Sequence, residues 1–374
     1  MIKPKLLFLV TEDWFFRSHF MFLVERAIRE GYECVVVARN TGAVPNLEGV
    51  RLVDLPFRRR SFAPWALIKQ ALQVRAIIRR ERPRIVHAIA LKSIVLLVMA
   101  RMRGVAQILA LTGRGYIALG SAPWTRLIRW RLRRLIRRAL SQPQTLLLVE
   151  NMSDADWVAH DERLGAGKVV LMPGAGVDLN KFKVAPEPTN DPLVVGVVAR
   201  LVRSKGVGVA VEAVRRLRAE GISIVLRVAG RPDDQNPESI SAAQLHCWST
   251  LDGIEFIGHV QDVNAFWSLS HIACLPSLGG EGLPRSLIEA AACGRPIVTT
   301  RTPGCADFVG ENEIGLLVKP GDAVELATAL RMLAMNVGIR RRMGALGRLR
   351  VVSGYSVLHA GDAAARAWAT VSEA

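Results

Sequence analysis

The chain has 374 residues, half of them hydrophobic, and carries 50 Lys and Arg against 33 Asp and Glu, a formal net charge of +17. At about 150 residues per domain this suggests two domains with sizeable cores, and it excludes a disordered, collagen-like or small disulfide-scaffold protein. The charge is lopsided. Residues 1–187 hold 31 basic and 15 acidic side chains, residues 188–374 hold 19 and 18, and the stretch from Arg82 to Val149 has 13 bases and no acid. A basic half beside a neutral half points to an anionic partner for the first half alone: nucleic acid, a membrane surface or a phosphorylated substrate.

In chain order, Lys3 and Lys5 precede the apolar run Leu6–Val10, which Thr11-Glu12-Asp13 ends. Five apolar residues are too few for a signal peptide, so the run reads as a first buried strand. Further strands are expected at Cys34–Ala38, Val50–Leu55, Ile85–Ala88, Gln107–Leu111, Thr145–Val149 and Val169–Met172. Amphipathic helices are expected over Phe20–Glu30 and Ala66–Arg80. Runs apolar on both faces belong to a parallel sheet covered on both sides, and the alternation argues a doubly wound α/β domain. The Pro-rich stretch 186–192 is the linker candidate. The alternation then restarts, with strands at Leu193–Ala199, Ser223–Ala229, Ile254–Ile257, Ile272–Pro276, Pro296–Thr299 and Leu316–Val318. Helices follow at Gly208–Glu220, Pro284–Ala292, Asp322–Met335 and about Ser356–Val371. The implied architecture is two tandem Rossmann-like domains, residues 1–185 and 186–355, with a C-terminal helix over 356–374 packing back toward the first. Ligands are expected at the C-terminal ends of the strands, in the cleft between the domains.

The five cysteines (Cys34, Cys247, Cys274, Cys293, Cys305) are odd in number and show no C-x-x-C spacing. A disulfide framework or zinc site is not expected, and a reducing cytosol is. The longest other apolar run, Ile94–Ala100, falls far short of the ~20 residues that span a bilayer.

The first strand is not followed by G-x-G-x-x-G, so a nicotinamide-type fingerprint is missing where it would have to stand. Gly113-Arg114-Gly115, with Gly120 beyond, follows a strand and precedes a helix; its backbone could approach a phosphate, and a plain turn explains it as well. On the strand-to-helix loop of the second domain, Arg200 offers a planar fork and Lys205 a point charge, a pair suited to a diphosphate; two solvated loop cations are the alternative. Glu281 and Glu289 stand eight positions apart, on a loop and on the helix that it opens. Both could accept hydrogen bonds from sugar hydroxyls; the alternative is a surface loop acid plus a helix acid in a salt bridge. Asp154-Ala155-Asp156 mimics a metal-binding D-x-D, but Asp at a helix N-terminus needs no metal.

The basic helix Pro123–Leu140 shows an apolar stripe of Trp124, Leu127, Ile128, Leu132, Leu135, Ile136 and Ala139, expected to pack on the first sheet. Arg126, Arg129, Arg133 and Arg137, with Trp130 among them, are expected to face outward. Arg58-Arg59-Arg60 with Phe62 and Trp65 makes a second basic–aromatic patch. Such patches suit an anionic headgroup boundary.

Arg200…Lys205, followed by Glu281-x7-Glu289 within Pro-Ser-x3-Glu-Gly-Leu-Pro-x-Ser-Leu-Ile-Glu-Ala, resembles the donor site of retaining GT-B glycosyltransferases of family 4. Pro173-Gly174-Ala175-Gly176-Val177-Asp178 with Phe182 resembles that family's interdomain segment. Glu12-Asp13-Trp14-Phe15 with Ser18-His19, Gly230-Arg231 with Asn236–Ile240, and Cys293-Gly294-Arg295-Pro296 with Pro303-Gly304-Cys305 resemble bacterial hexosaminyltransferases that extend undecaprenyl-diphosphate-linked oligosaccharides. The resemblance implies that Arg200 and Lys205 hold the donor diphosphate, Glu281 binds the transferred sugar and Glu289 the ribose, with Gly282 and Leu283 lining the same loop. It implies a UDP-sugar donor (an N-acetylhexosamine), a lipid-linked saccharide acceptor, an anionic membrane surface as partner, a peripheral place on the cytoplasmic face of the inner membrane, and neither metal nor cofactor. Many members carry a His after the fifth strand; Leu111–Tyr116 has none, which leaves Glu12, His19, Gly113 and Arg114 as acceptor-side candidates. His87, also at a strand end, reads as a core histidine. Two other readings stand beside this one: a GT-B-type sugar-nucleotide epimerase, and a basic nucleic-acid-binding protein, for which no RNP, KH, zinc or helix-turn-helix signature is present.

Overall fold

The computed structural model describes residues 3–373 apart from 45–47, 57–62, 103, 115–122, 160–166, 190 and 235, and the side chains of Pro123, Trp124 and Ala159. Arg58–Arg60, Phe62, Gly115, Tyr116, Gly120 and Trp124's side chain, named above, lie outside the described residues. The chain divides into two compact units, 1–175 with 357–374, and 176–356. The division falls ten residues before Pro186. Val177 bonds through its N–H to the Tyr355 carbonyl, and buried Phe182 packs in the second unit's core, so residues 176–185 fold with that unit.

The first unit runs β1 (Lys5–Glu12), α1 (Asp13–Arg29), β2 (Glu33–Arg39), β3 (Val50–Asp54), α2 (Pro64–Glu81), β4 (Ile85–Ile89), α3 (Leu91–Ala100), β5 (Ala106–Leu111), α4 (Pro123–Leu140), β6 (Thr145–Val149), α5 (Met152–Ala159) and β7 (Val169–Leu171). Its strands form one seven-stranded sheet in the order β3-β2-β1-β4-β5-β6-β7, every pair parallel. The alternating side chains of one strand feed two cores: Leu6, Phe8 and Val10 pack with α1, while Leu7 and Leu9 pack with α2, α3 and α4.

The second unit runs β8 (Leu193–Val198), α6 (Val207–Ala219), β9 (Ile224–Ala229), α7 (Ala242–Ser249), β10 (Ile254–Gly258), α8 (Val263–Ser268), β11 (Ile272–Leu275), α9 (Arg285–Ala292), β12 (Ile297–Thr300), α10 (Pro303–Val309), β13 (Gly315–Val318), α11 (Ala323–Met335) and α12 (Val337–Gly354). Its six strands, also parallel, lie in the order β10-β9-β8-β11-β12-β13, with helices on both faces. The last helix, α13 (Val357–Glu373), belongs to the first unit. Buried Trp368 packs edge-on against Phe8 and donates from its indole N–H to His87 Nδ1 at 3.2 Å, and Arg26 of α1 pairs with Asp362.

Helix α4 is rotated from the expected orientation. Thr125, Ile136, Ala139 and Leu140 are buried, whereas Leu127 and Ile128 are 47% and 37% exposed. The buried side also takes Arg129, Leu132, Arg133 and Arg137 part-way in, and Arg137 donates to the Val158 carbonyl at 2.7 Å. Arginine stems are long enough to cover apolar surface while their heads find oxygen, so a hydrophobic-only stripe misplaces the face. The outward arginines are Arg126, Arg131, Arg134 and Arg138, with exposed Trp130, whose ring lies 5.4 Å from the Arg134 guanidinium carbon. No helix among the described residues is long and apolar enough to cross a membrane.

Candidate functional site

In the second sheet the winding reverses between β8 and its neighbour β11. The loops leaving adjacent strands part there, and a doubly wound sheet offers its ligand crevice at that point. The loop after β8 carries Arg200 and a short turn, Arg203–Lys205, closed by Gly206 at φ +71°. A Cβ on Gly206 would stand 1.9 Å from the Pro276 carbonyl oxygen of the loop after β11, so only glycine permits this approach. The Leu278 N–H bonds to the Ser204 carbonyl at 2.8 Å, and Ser277 Oγ reaches the same carbonyl at 3.4 Å. The two loops are therefore tied together at the switch point.

That tie sets the central contact. Lys205 Nζ donates to Glu281 Oε1 at 2.6 Å, and both side chains keep 16% of their surface exposed. Buried Ser277 donates to the same Glu281 oxygen at 3.2 Å, and Thr300 Oγ1 fixes the Ser277 carbonyl at 2.6 Å. Beside it, Gly304 of α10 presses on the backbone of Gly282, where a Cβ would lie 1.4 Å from the Gly282 carbonyl oxygen. Leu283 is buried next to it. Pro284, expected as the first helical residue, is instead the N-cap of α9, which starts one position later at Arg285.

The other donor-site candidates have their own partners. Arg200 Nη1 lies 2.7 Å from Asp233 Oδ2, on a loop that sequence reading did not single out for chemistry. The segment after β9 is strapped to the Arg200 loop by backbone bonds from Leu201 N–H to Arg231, from Arg203 N–H to Glu238 and from Ile240 N–H to Leu201. Glu289 is nearly buried on α9 and ion-paired with Arg285 Nε at 2.9 Å; burial raises its pKa, against the pull of Arg285 and Lys181. The two glutamates thus differ: Glu281 pairs with Lys205 of the neighbouring loop, and Glu289 pairs within its own helix.

Of the first unit's candidates, Glu12 ends β1, Gly113 and Arg114 follow β5, and His19 lies on α1. Glu12, buried at the end of β1, is held by Arg39 at 2.6 Å and accepts from the Trp14 indole at 3.2 Å. Neighbouring Asp13 is fully buried. Burial pushes its pKa up, but hydrogen bonds from Thr41, Ala43 and Trp14 outweigh that and hold it below the usual value. His19 lies a turn and a half into α1, its Nδ1 2.6 Å from Ser18 Oγ. Gly113 takes φ +108° after β5, and Arg114 pairs with buried Asp154 at 2.7 Å and lies over Trp157. Asp154 is thereby committed to Arg114 and to the Asn151 amide. Among the described residues no group of three or more His, Cys, Asp or Glu stands where it could hold a metal ion. His87 is a core residue, its pKa pushed down to about 3 by burial.

Both halves of the chain match glycosyltransferase family models: residues 5–150 that of "Glycosyl transferase 4-like", and residues 192–336 that of "Glycosyl transferases group 1". The chain is 29% identical over 167 residues to the capsular polysaccharide biosynthesis glycosyltransferase CapM of Staphylococcus aureus, covering 45% of this chain and 43% of that protein. It is 30% identical over 184 residues to the putative colanic acid biosynthesis glycosyltransferase WcaL of Escherichia coli, covering 46% and 44%. The chain thus spans under half the length of these curated relatives. Among solved structures, Anabaena Alr3699/HepE in complex with UDP and glucose superposes with a TM-score of 0.75 at 15% identity, over 97% of this chain and 98% of that one. That likeness shows the fold, which is GT-B.

Proposed function

We propose, for a chain whose matches support membership of the GT-B glycosyltransferases of family 4, that it is a retaining glycosyltransferase. In this reading it moves an N-acetylhexosamine from a UDP-sugar to a lipid-linked saccharide in the assembly of a bacterial surface polysaccharide. The observation that carries it is the pair Lys205–Glu281 at the switch point, a cation and a sugar-hydroxyl acceptor held side by side by two glycine-tight loops. The polysaccharide names of CapM and WcaL, and the UDP and glucose bound by the Anabaena protein, support the substrate classes.

In the reaction so read, Arg200 and Lys205 take the donor diphosphate and neutralise the charge that develops on it as the sugar–phosphate bond breaks. Glu281 turns from Lys205 to the sugar hydroxyls, and Glu289 on α9 accepts from the ribose. Gly282 and Leu283 shape the loop against the sugar. The acceptor hydroxyl attacks from the face the diphosphate leaves, which retains configuration without a protein nucleophile, so positioning does most of the work. With two cations on the diphosphate, no metal is needed. Glu12, His19, Gly113 and Arg114 line the acceptor side of the first unit.

The first unit's charge fits a membrane-bound acceptor. On α2, Trp65 is 76% exposed and shares one helical face with exposed Ile68 and Leu72. On α4, exposed Leu127 and Trp130 stand among Arg126, Arg131 and Arg134. Both helices flank α3 in one layer. Basic residues near an anionic bilayer contribute ~1 kcal/mol each, and the protein is placed on the cytoplasmic face of the inner membrane by this account. The test is calorimetry with UDP- and GDP-sugars on wild type and Glu281→Ala, followed by mass spectrometry of an undecaprenyl-diphosphate saccharide incubated with the tightest-binding sugar. A mass gain of one sugar supports the reading. No sugar-nucleotide binding, or release of an epimerised sugar nucleotide with no transfer, contradicts it.

A further inference from the structure

Both donor-side cations are neutralised from within the second unit: Lys205 by Glu281 and Arg200 by Asp233. The two carboxylates are not equivalent. Glu281 has a use once the donor arrives, because a sugar offers it hydroxyls. Asp233 instead faces a guanidinium that the diphosphate must claim.

We propose that Asp233 is a built-in counter-anion for Arg200, a positioning residue that occupies the diphosphate's partner until the donor displaces it, and so tunes donor affinity downward. This rests on the donor-site assignment above. Three observations place Asp233 for that task. Its side chain is mostly buried (12% exposed), whereas that of Arg200 is 43% exposed, so the cation is the solvent-facing member of the pair. The Asp233 N–H is held by Ser239 Oγ at 3.1 Å, and its carbonyl accepts from the Asn236 N–H at 2.7 Å, which fixes the backbone from which the carboxylate projects. The loop that carries it is strapped to the Arg200 loop through Glu238 and Leu201, so the carboxylate stays in place when the arginine swings away. A carboxylate holding a guanidinium in a half-exposed site contributes little, whereas a diphosphate offers more charge and several acceptor oxygens, so exchange favours the nucleotide. While the site is empty, the pair keeps Arg200 from capturing inorganic phosphate or other small anions. After transfer, it gives the arginine a partner to return to as the nucleoside diphosphate departs.

The test is a calorimetric double-mutant cycle with UDP on wild type, Asp233→Asn, Arg200→Ala and the double variant, thermal melts confirming that each folds. Asp233→Asn should bind UDP roughly three- to fivefold more tightly, corresponding to a surface ion pair of about 1 kcal/mol. Asp233→Glu should restore wild-type affinity, and the gain should vanish in the Arg200→Ala background. Unchanged or weaker UDP binding by Asp233→Asn, or a gain that persists without Arg200, overturns the proposal while leaving the donor site standing. Absence of UDP binding by folded wild type overturns both. Uridine, which lacks the diphosphate, should not distinguish wild type from Asp233→Asn.

Discussion

Lys205 Nζ and Glu281 Oε1 lie 2.6 Å apart although 76 positions separate them in the chain, and Ser277 Oγ shares the glutamate oxygen. In the proposed reading, a cation for a phosphate and an acceptor for a sugar are each other's partner. The consequence is that the two residues should fail differently when changed.

Glu281→Gln leaves Lys205 without its carboxylate and removes a negative charge facing the incoming diphosphate. UDP should bind at least as tightly as to wild type. Sugar transfer should fall by on the order of a hundredfold, because a preorganised contact to the reacting sugar is gone. Parallel calorimetry and steady-state kinetics read this as kcat lost with UDP affinity kept; a joint loss of both contradicts the separate roles.

Gly206→Ala strikes the tie between the loops. Its φ of +71° costs an L-residue roughly 1–2 kcal/mol, and its new Cβ would meet the Pro276 carbonyl oxygen at 1.9 Å. The backbone of one loop must give way. A fall in Tm of several degrees together with loss of UDP binding is expected; a variant that melts and binds like wild type would show that the loops are not held this way.

Burial pushes the His87 pKa down to about 3 from 6.5, so the folded protein keeps this ring neutral where the unfolded chain protonates it. Between pH 6.5 and about 3 the unfolded state binds the extra proton, so stability is complete above pH 6.5 and falls as the pH drops, by up to about 1.4 kcal/mol per pH unit from this group. The strain falls on α13, since His87 Nδ1 accepts the Trp368 N–H. His87→Gln keeps an acceptor without a titrating ring. Its melting temperature should decline less steeply than that of wild type from pH 6.5 to 4.5, and parallel slopes would contradict the assignment.

Membrane docking through α2 and α4 predicts cosedimentation with vesicles containing phosphatidylglycerol at low salt. Binding should drop at least tenfold in Trp130→Ala combined with Arg131→Glu and Arg134→Glu. Wild type that ignores such vesicles, or a variant that sediments equally well, would remove the lipid surface from the account.

Much of this was legible in the chain. The thirteen strands among the described residues are recoverable from short apolar runs, most of them because a parallel sheet covered on both faces leaves little polar alternation to confuse them. Helices were less so. Helix α3 is apolar on so many sides that Ile94–Ala100 reads only as a run, and α1 begins seven residues before Phe20, at an Asp whose carboxylate is spent on Thr41 and Ala43. The α4 face was misread because arginine stems pack like apolar residues. In the site, Lys205 and Glu281 were each singled out from the sequence, but their pairing was not; it appears only where the loops after β8 and β11 meet. Asp233 was missed because Gly230-Arg231-Pro232-Asp233-Asp234 looks like any polar turn. The signal that could have found it is adjacency: β8 and β9 pair directly, so the loops that leave them meet.

The central claim is that the second unit holds a nucleoside diphosphate through the switch-point cations, and titration of UDP into wild type and Lys205→Ala tests it most directly. The substitution removes a charge-assisted contact of roughly 1.5–3 kcal/mol and leaves Glu281 facing the diphosphate unneutralised. The account predicts measurable binding by wild type and affinity lower by about ten- to a hundredfold in the variant. Equal affinity of the two proteins would contradict it.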